Sequence, residues 1–291
     1  MKSNRVPPLF HRVRFLFPFI WLQRAVNAMY YKYLFSASDF LKALHRKELA
    51  IHYQPIVDMR SGRWLGAEAL LRWPSKGADF HPEVIISVLE RAGLMPTVTR
   101  WICQQVVEDY CETLWACDDF YITINLCADD VMDSTFPEFI KQLLSEHKLS
   151  ASRFAFEVTE REALNSRKAA IQLNRLRAHG HLIVLDDFGT GYSNLAYLDQ
   201  FPVDIIKIDK SMTLRADSSA ANIILSHVLN MAKKLDIDVV VEGIETGHQA
   251  ERISALGARK AQGWFYSKDL PAHELARAYF SMPHRSLYDV V

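Results

Sequence analysis

Six acidic or amide side chains recur along this chain at intervals close to one strand and one helix, each at the end of a β-like run: Glu68, Asn125, Glu157, Asp186, Asp187 and Glu242. The runs are LGAEALLRW (65–73), YITINL (121–126), RFAFEVTE (153–160), LIVLDDF (182–188), IIKIDK (205–210) and VVVEG (239–243). Stepping from Asn125 to Glu157, Asp186, Lys207, Glu242 and Gln262 takes 32, 29, 21, 35 and 20 residues. Each step accommodates a short strand, a helix and two loops, as repeated βα units require. A TIM-like (β/α)8 barrel of the α/β class uses about 250 residues as one domain, so 291 residues predict one barrel plus a short N-terminal helical extension rather than two domains.

Acidic and amide oxygens gathered at one end of a barrel suit Mg²⁺ or Mn²⁺ better than zinc. The Asp186-Asp187 pair sharpens this. Adjacent side chains on a regular strand point to opposite faces, so both serve one site only where the chain leaves the pleat. The following Phe188-Gly189-Thr190-Gly191 supplies such a departure. Carboxylates this close resist joint ionisation unless cations lie between them, which points to two metal ions in one site. Gly189-Thr190-Gly191 is a poor dinucleotide fingerprint, because Asn194 holds the third glycine position and the acids would repel a pyrophosphate.

Charge is unevenly placed. Residues 1–38 carry Lys2, Arg5, Arg12, Arg14, Arg24 and Lys32 and no acid, so with a net charge of zero the remainder carries −6. A basic-surface argument is thus confined to the extension, and no nucleic-acid polymer is expected as partner. Within residues 1–37, FLFPFIWL (15–22) is too short to span a bilayer, which needs about 20 residues, and lacks a cleavage site. Leu22, Val26, Met29 and Tyr33 share a helical face opposite Gln23, Arg24, Asn27 and Lys32. Such a helix suits either the inner face of the cell membrane or packing against the barrel bottom or a partner subunit. Cys103, Cys111, Cys117 and Cys127 form no C-x-x-C pair and read as reduced thiols of a cytoplasmic protein.

From residue 38 to 282 the pattern is regular, leaving 283–291 as a tail. A helix over 37–47 is capped by Ser36 or Ser38; a first strand ends in a tight Ser61-Gly62 turn; helices follow at 82–92 and 97–116. Beyond Asn125 the helical segments are 137–146, 167–179, 193–199, 218–235, 246–256 and 272–280. His179 and His181 flank Gly180 at a helix-to-strand turn and read as solvated. His273-Glu274 begins a zinc pattern that Arg277 breaks.

The ordered string YQPIV (53–57), EALLRW (68–73), INL (124–126), EVTE (157–160), DDFGTGYSNL (186–195), VDIIKIDK (203–210), EGIE (242–245) and QGWFYSK (262–268) resembles the EAL domain, the bacterial cyclic-di-GMP phosphodiesterase. The resemblance covers about residues 38–282. It implies two Mg²⁺ or Mn²⁺ ions per active site, with Ca²⁺ inhibitory, and hydrolysis of cyclic-di-GMP to linear pGpG. It places the first metal on Glu68, Asn125, Glu157 and Asp186, with Asp186 bridging to a second that Asp187 also binds. It puts Glu242 on the second metal's side, directly or through water, Lys207 in contact with the attacking water and Gln262 in the same water network, and gives Gln54, Leu70 and Arg72 roles in gripping the dinucleotide. Glu160 would anchor the loop 188–197, through which the family forms homodimers.

Departures from the family pattern are modest: Asn194 and Cys127 for usual serines, Trp264 for a usual tyrosine or similar aromatic, Asp269 for a usual proline, and Arg259 for a common acid. None removes a metal ligand. A silent receptor for the dinucleotide and an interaction module that has lost it are the other readings, and such members typically lack metal or glutamate positions that this chain keeps. With no His-Asp dipeptide and no Gly-Gly pair, the chain carries neither the other known class of cyclic-di-GMP phosphodiesterase nor an intact cyclase signature.

Overall fold

The computed structural model describes residues 35–74, 82–117, 119–159, 167–189, 201–214 and 219–282, and the chain divides into two compact units. The N-terminal stretch through residue 34, the expected helix 193–199, Glu160 and the tail 283–291 lie outside the described residues. The first unit is Met1–Leu49 with Trp73–Leu94. It holds α1 (Ala37–His45) and α2 (Pro82–Arg91). Ser36 rather than Ser38 caps α1: its hydroxyl accepts from the Asp39 amide while the Asp39 carboxylate accepts from the Ser36 amide. Phe35 and Phe40 meet Trp73 edge-on, with centroids 5.3 and 5.7 Å away.

The second unit, Ala50–Arg72 with Met95–Val291, is the barrel. Its strands are β1 (Ala50–Asp58), β2 (Trp64–Arg72), β3 (Tyr121–Asn125), β4 (Phe154–Thr159), β5 (Leu182–Phe188), β6 (Ile205–Ile208), β7 (Asp238–Val241) and β8 (Lys260–Ala261). Strands β2 to β8 pair in parallel, and β1 closes the ring by pairing antiparallel with both β8 and β2. The repeated βα units therefore begin at β2. Residues 59–63 are too few for a parallel crossover, which takes a dozen or more, so β1 and β2 form a hairpin turned at Gly62, whose φ is +73°. A short β9 (Leu270–Pro271) lies antiparallel along His52 and Tyr53 of β1.

Outside the ring run α3 (Met95–Asp109), α4 (Ala128–Met132), α5 (Phe136–Glu146), α6 (Arg167–Ala178), α7 (Lys210–Leu214), α8 (Ser219–Lys234), α9 (Gly247–Ala255) and α10 (Ala272–Ser281). A π-helical turn over Tyr110–Leu114 extends α3. The longer helices turn a stripe inward; on α6 it is Ala169, Leu173 and Leu176, a four-then-three spacing. No described helix is long and apolar enough to cross a membrane.

The barrel interior explains the sequence spacing. Ile56, Tyr121, Ala155, Val184, Ile205 and Val240 form one apolar cluster. Strand side chains alternate faces with period two, so two residues further along the parallel strands the same inward face carries Thr123, Glu157, Asp186, Lys207 and Glu242. On β1, which runs the other way, the step is backward, from Ile56 to Gln54. At Gly66 a Cβ would come within 2.5 Å of the Tyr121 carbonyl oxygen and 3.1 Å of its ring, so glycine is what lets the Tyr121 backbone approach there.

Two expectations are corrected. Glu68 is not at a strand end: it sits midway along β2, because the hairpin carries that strand four residues further to Arg72. His181 is not solvated but buried, with its Nδ1 3.0 Å from the Phe154 carbonyl oxygen and its ring edge-on to Phe156. Burial penalises the imidazolium and pushes its pKa down from 6.5 to about 4. Between those values the unfolded chain binds the proton and the folded one does not, so this stability is complete above 6.5 and is lost as pH falls toward 4. Chemical denaturation of wild type against His181→Gln should show the stability of the wild type falling more steeply over that window, by an upper limit on the order of 3 kcal/mol. Parallel pH profiles would assign the imidazole no part in it.

Candidate active site

The centre of the site is a lysine. Every residue of β6 is buried, and Lys207, two beyond Ile205 of the apolar layer, is 1% exposed. Its Nζ lies 2.9 Å from Glu68 Oε2, 2.8 Å from Glu157 Oε2, 2.8 Å from Glu242 Oε1 and 3.7 Å from Asp186 Oδ1. These acids come from β2, β4, β5 and the residue just beyond β7, where the Glu242 amide donates to the Ile208 carbonyl. An ammonium in a barrel interior is tenable only with such partners.

Amides complete the ring. Asn125, the last residue of β3, donates Nδ2 to Glu68 Oε1 at 2.9 Å, which leaves its Oδ1 for other partners. Gln262 Nε2 donates to Glu68 Oε2 at 2.8 Å and to Gln54 Oε1 at 3.1 Å. Register puts Gln54 directly opposite Glu68 in the hairpin.

The charges are unbalanced, four carboxylates to one ammonium. Burial works against the Lys207 charge, but the surrounding acids outweigh it and hold its pKa well above the usual lysine range. Burial raises the pKa of Glu157, Asp186 and Glu242; Lys207 offsets part, and neighbouring carboxylates add repulsion. Glu157 ends well above its ordinary value and Glu242 is pushed up to about 7. Glu68 moves the other way, since Lys207, Asn125 and Gln262 together overcome its burial.

Asp186 and Asp187 leave the pleat as adjacency requires. The β5–β6 register shifts between Leu185 and Phe188, and Asp187 adopts a left-handed φ of +55° with its amide bonded to Asp186 Oδ1 at 2.8 Å. Among the described residues, no three acid, histidine or cysteine side chains are already gathered around a metal position; the carboxylates close on Lys207 instead. The donor set still fits a hard divalent cation. Its ligands are oxygens, its acids outnumber its cation, and Glu157 Oε1 is buried without a hydrogen-bond partner.

Beyond the carboxylates the hairpin carries the inward face onward. Leu70 and Arg72 follow Glu68 at intervals of two, and Leu70 faces His52 across β1. A cavity of about 250 Å³ opens on Gln54, Glu68, Glu242 and Gln262, and is also lined by Lys210, Glu245 and Trp264. Strand-end spacing does not reach these last three, His52 or Asp269, because they lie at the start of α7, in loops and at the open edge of the hairpin. Glu160 and most of the loop 188–197 lie outside the described residues.

The sequence matches the EAL domain over residues 37–269. It is 37% identical over 236 residues to "Probable cyclic di-GMP phosphodiesterase PdeB" of Escherichia coli, covering 81% of this chain and 45% of that protein. It is 32% identical over 265 residues to "Bifunctional diguanylate cyclase/cyclic di-GMP phosphodiesterase MucR" of Pseudomonas aeruginosa, covering 88% and 38%. The chain thus spans less than half the length of these two relatives. Among solved structures, the PaMucR phosphodiesterase in complex with c-di-GMP is similar with a TM-score of 0.76 and 32% identity, over 82% of this chain and 98% of that one.

Removing Lys207 would leave the four acids facing one another, raise Glu157, Asp186 and Glu242 further above the ordinary carboxyl range, and take from Glu68 the ion pair that offsets its burial. Stability would then be lost as pH rises through those values. In chelator-treated protein, Lys207→Met should cost about 3–5 kcal/mol at pH 8, as loss of one partner from a buried pair does. That deficit should shrink as pH falls toward 4.5, the ordinary glutamate value. Denaturation curves showing a pH-independent deficit would contradict the charge balance described.

Proposed function

The chain belongs to the EAL domain family, and on that premise we propose that it is a metal-dependent phosphodiesterase that hydrolyses cyclic-di-GMP to linear pGpG, lowering this second messenger in bacterial signalling. The observation that carries the reading is the ring of Glu68, Glu157, Asp186 and Glu242 around Lys207, open to a cavity beside Gln54. Glu68, Asn125, Glu157, Asp186 and Asp187 would hold two Mg²⁺ or Mn²⁺ ions, and Ca²⁺, with its longer bonds and looser geometry, would inhibit. When bound, such a pair supplies charge neutralisation on a phosphodiester and acidifies a water at neutral pH.

The remaining work falls to the chain's own groups. Gln54, Leu70 and Arg72 grip the dinucleotide, the planar fork of Arg72 matching a phosphate. Lys207 fixes the acids and contributes positive charge beside the attacking water, and Gln262, bonded to both Glu68 and Gln54, orders that water. Glu242, whose carboxyl burial pushes up to about 7 in the metal-free site, would act on the second ion's side, directly or through water, or as a proton-exchanging group. The family's homodimer through the 188–197 loop, with membrane association through residues 1–37 at the inner face of the cell membrane, completes the proposal.

Product analysis of purified protein with cyclic-di-GMP and Mg²⁺ or Mn²⁺ tests this reading. Linear pGpG should form, cease with excess chelator, and fall by more than about 100-fold in Glu68→Ala, since loss of an outer support alone costs 10–100-fold. Tight binding of the dinucleotide without any product would identify a receptor instead.

A further inference from the structure

The segment that leaves β8 and returns as β9 is tied back onto the hairpin. Gln54 donates Nε2 to the Ser267 carbonyl at 3.3 Å, and β9 pairs with His52 and Tyr53. Between them, a single oxygen of Asp269, Oδ2, takes both Arg72 Nε and His52 Nδ1, each at 2.9 Å. Burial disfavours the Asp269 charge, yet the bonds from His52 and Arg72 hold its carboxyl well below the usual range. As a carboxylate it only accepts, so His52 Nδ1 carries the proton and donates.

Arg72 is thereby held at two points of one planar group. Nε goes to Asp269, and Nη1 donates to the Leu71 carbonyl at 2.9 Å. Of five guanidinium N–H donors these contacts use two, and the other three, on Nη1 and Nη2, remain for a ligand. Without Asp269 the fork would keep only its bond to its own neighbour's carbonyl. None of the described bonds of Asp269 reaches Lys207 or the four acids around it.

We propose that Asp269, braced by His52, is a positioning residue that presents the Arg72 fork to a phosphate of the substrate and sets substrate affinity rather than the rate of bond cleavage. This role rests on the phosphodiesterase reading. It differs from a simple clasp for β9, which would act without regard to Arg72, and from a competitor that occupies Arg72, whose removal would tighten binding.

The test is a double-mutant cycle on the full chain with cyclic-di-GMP and Mn²⁺, reading KM and kcat together with calorimetric binding in Ca²⁺. Asp269→Ala should raise KM about 10-fold with kcat within about 2-fold, and should raise it no further in an Arg72→Ala background. Asp269→Asn, which keeps an acceptor for Nε, should stay within about 3-fold of the wild-type KM. If the alanine variant folds poorly by its melting curve, Asp269→Ser replaces it in the same cycle. Independent, multiplying effects, a fall in kcat matching the rise in KM, or a lowered KM in Asp269→Ala would each overturn the role. Wild-type protein that neither binds nor hydrolyses the dinucleotide would overturn the substrate reading, and this role with it.

Discussion

A single buried ammonium holds the site together. Lys207 sits on the four-residue β6, inside a closed ring of strands, and is stable there only because four carboxylates reach it, two from the adjacent β5 and the end of β7 and two from β4 and β2. Those carboxylates are in turn tolerable so close together only because it is present. The dependence reaches down into the fold. Glu157, Asp186, Lys207 and Glu242 each stand two residues past a member of the apolar layer, so the packing of that layer sets the height at which the charges meet. One ammonium cannot balance four acids, and the surplus negative charge is the chemical invitation to a cation.

Much of this was legible. The spacing of the acidic runs reflects the strand-helix repeat, and the adjacency of Asp186 and Asp187 required the break in pleat that appears as a register shift and a left-handed residue. Lys207 as the hub was not legible, because its ion pairs join positions 139 and 50 residues apart and no local pattern encodes them. The direction of β1 lay in the length of one turn: five residues, Gly62 among them, make a hairpin, and the hairpin places Glu68 in the middle of its strand rather than at the end. That displacement gives the hairpin room beyond the acids for Leu70 and Arg72. The burial of His181 was not legible because turns between helix and strand usually face water, whereas this one folds its imidazole against Phe156.

The loop from β8 to β9 shows where family likeness and the particular chain part company. Gln262 and Gln54 follow the shared pattern and bond to each other. Asp269 does not follow it, and its two bonds link β9 to the far end of the hairpin across 217 and 197 residues of sequence. A residue that looked peripheral in the sequence thus lies against Arg72, which is proposed to grip the substrate.

The claim that the carboxylate ring carries protons in exchange for cations is open to direct measurement. Calorimetric titration of the apoprotein with Mn²⁺ at pH 7, in two buffers of different ionisation enthalpy, reports the protons released per ion bound. With Glu242 pushed up to about 7 and so about half protonated at pH 7, and Glu157 raised in the same direction by its burial, binding should release about half a proton or more, because ligating carboxylates must be ionised. Heats that are identical after correction for buffer, with no proton released, would mean that the ring is already fully ionised and that the electrostatic account of the site is wrong.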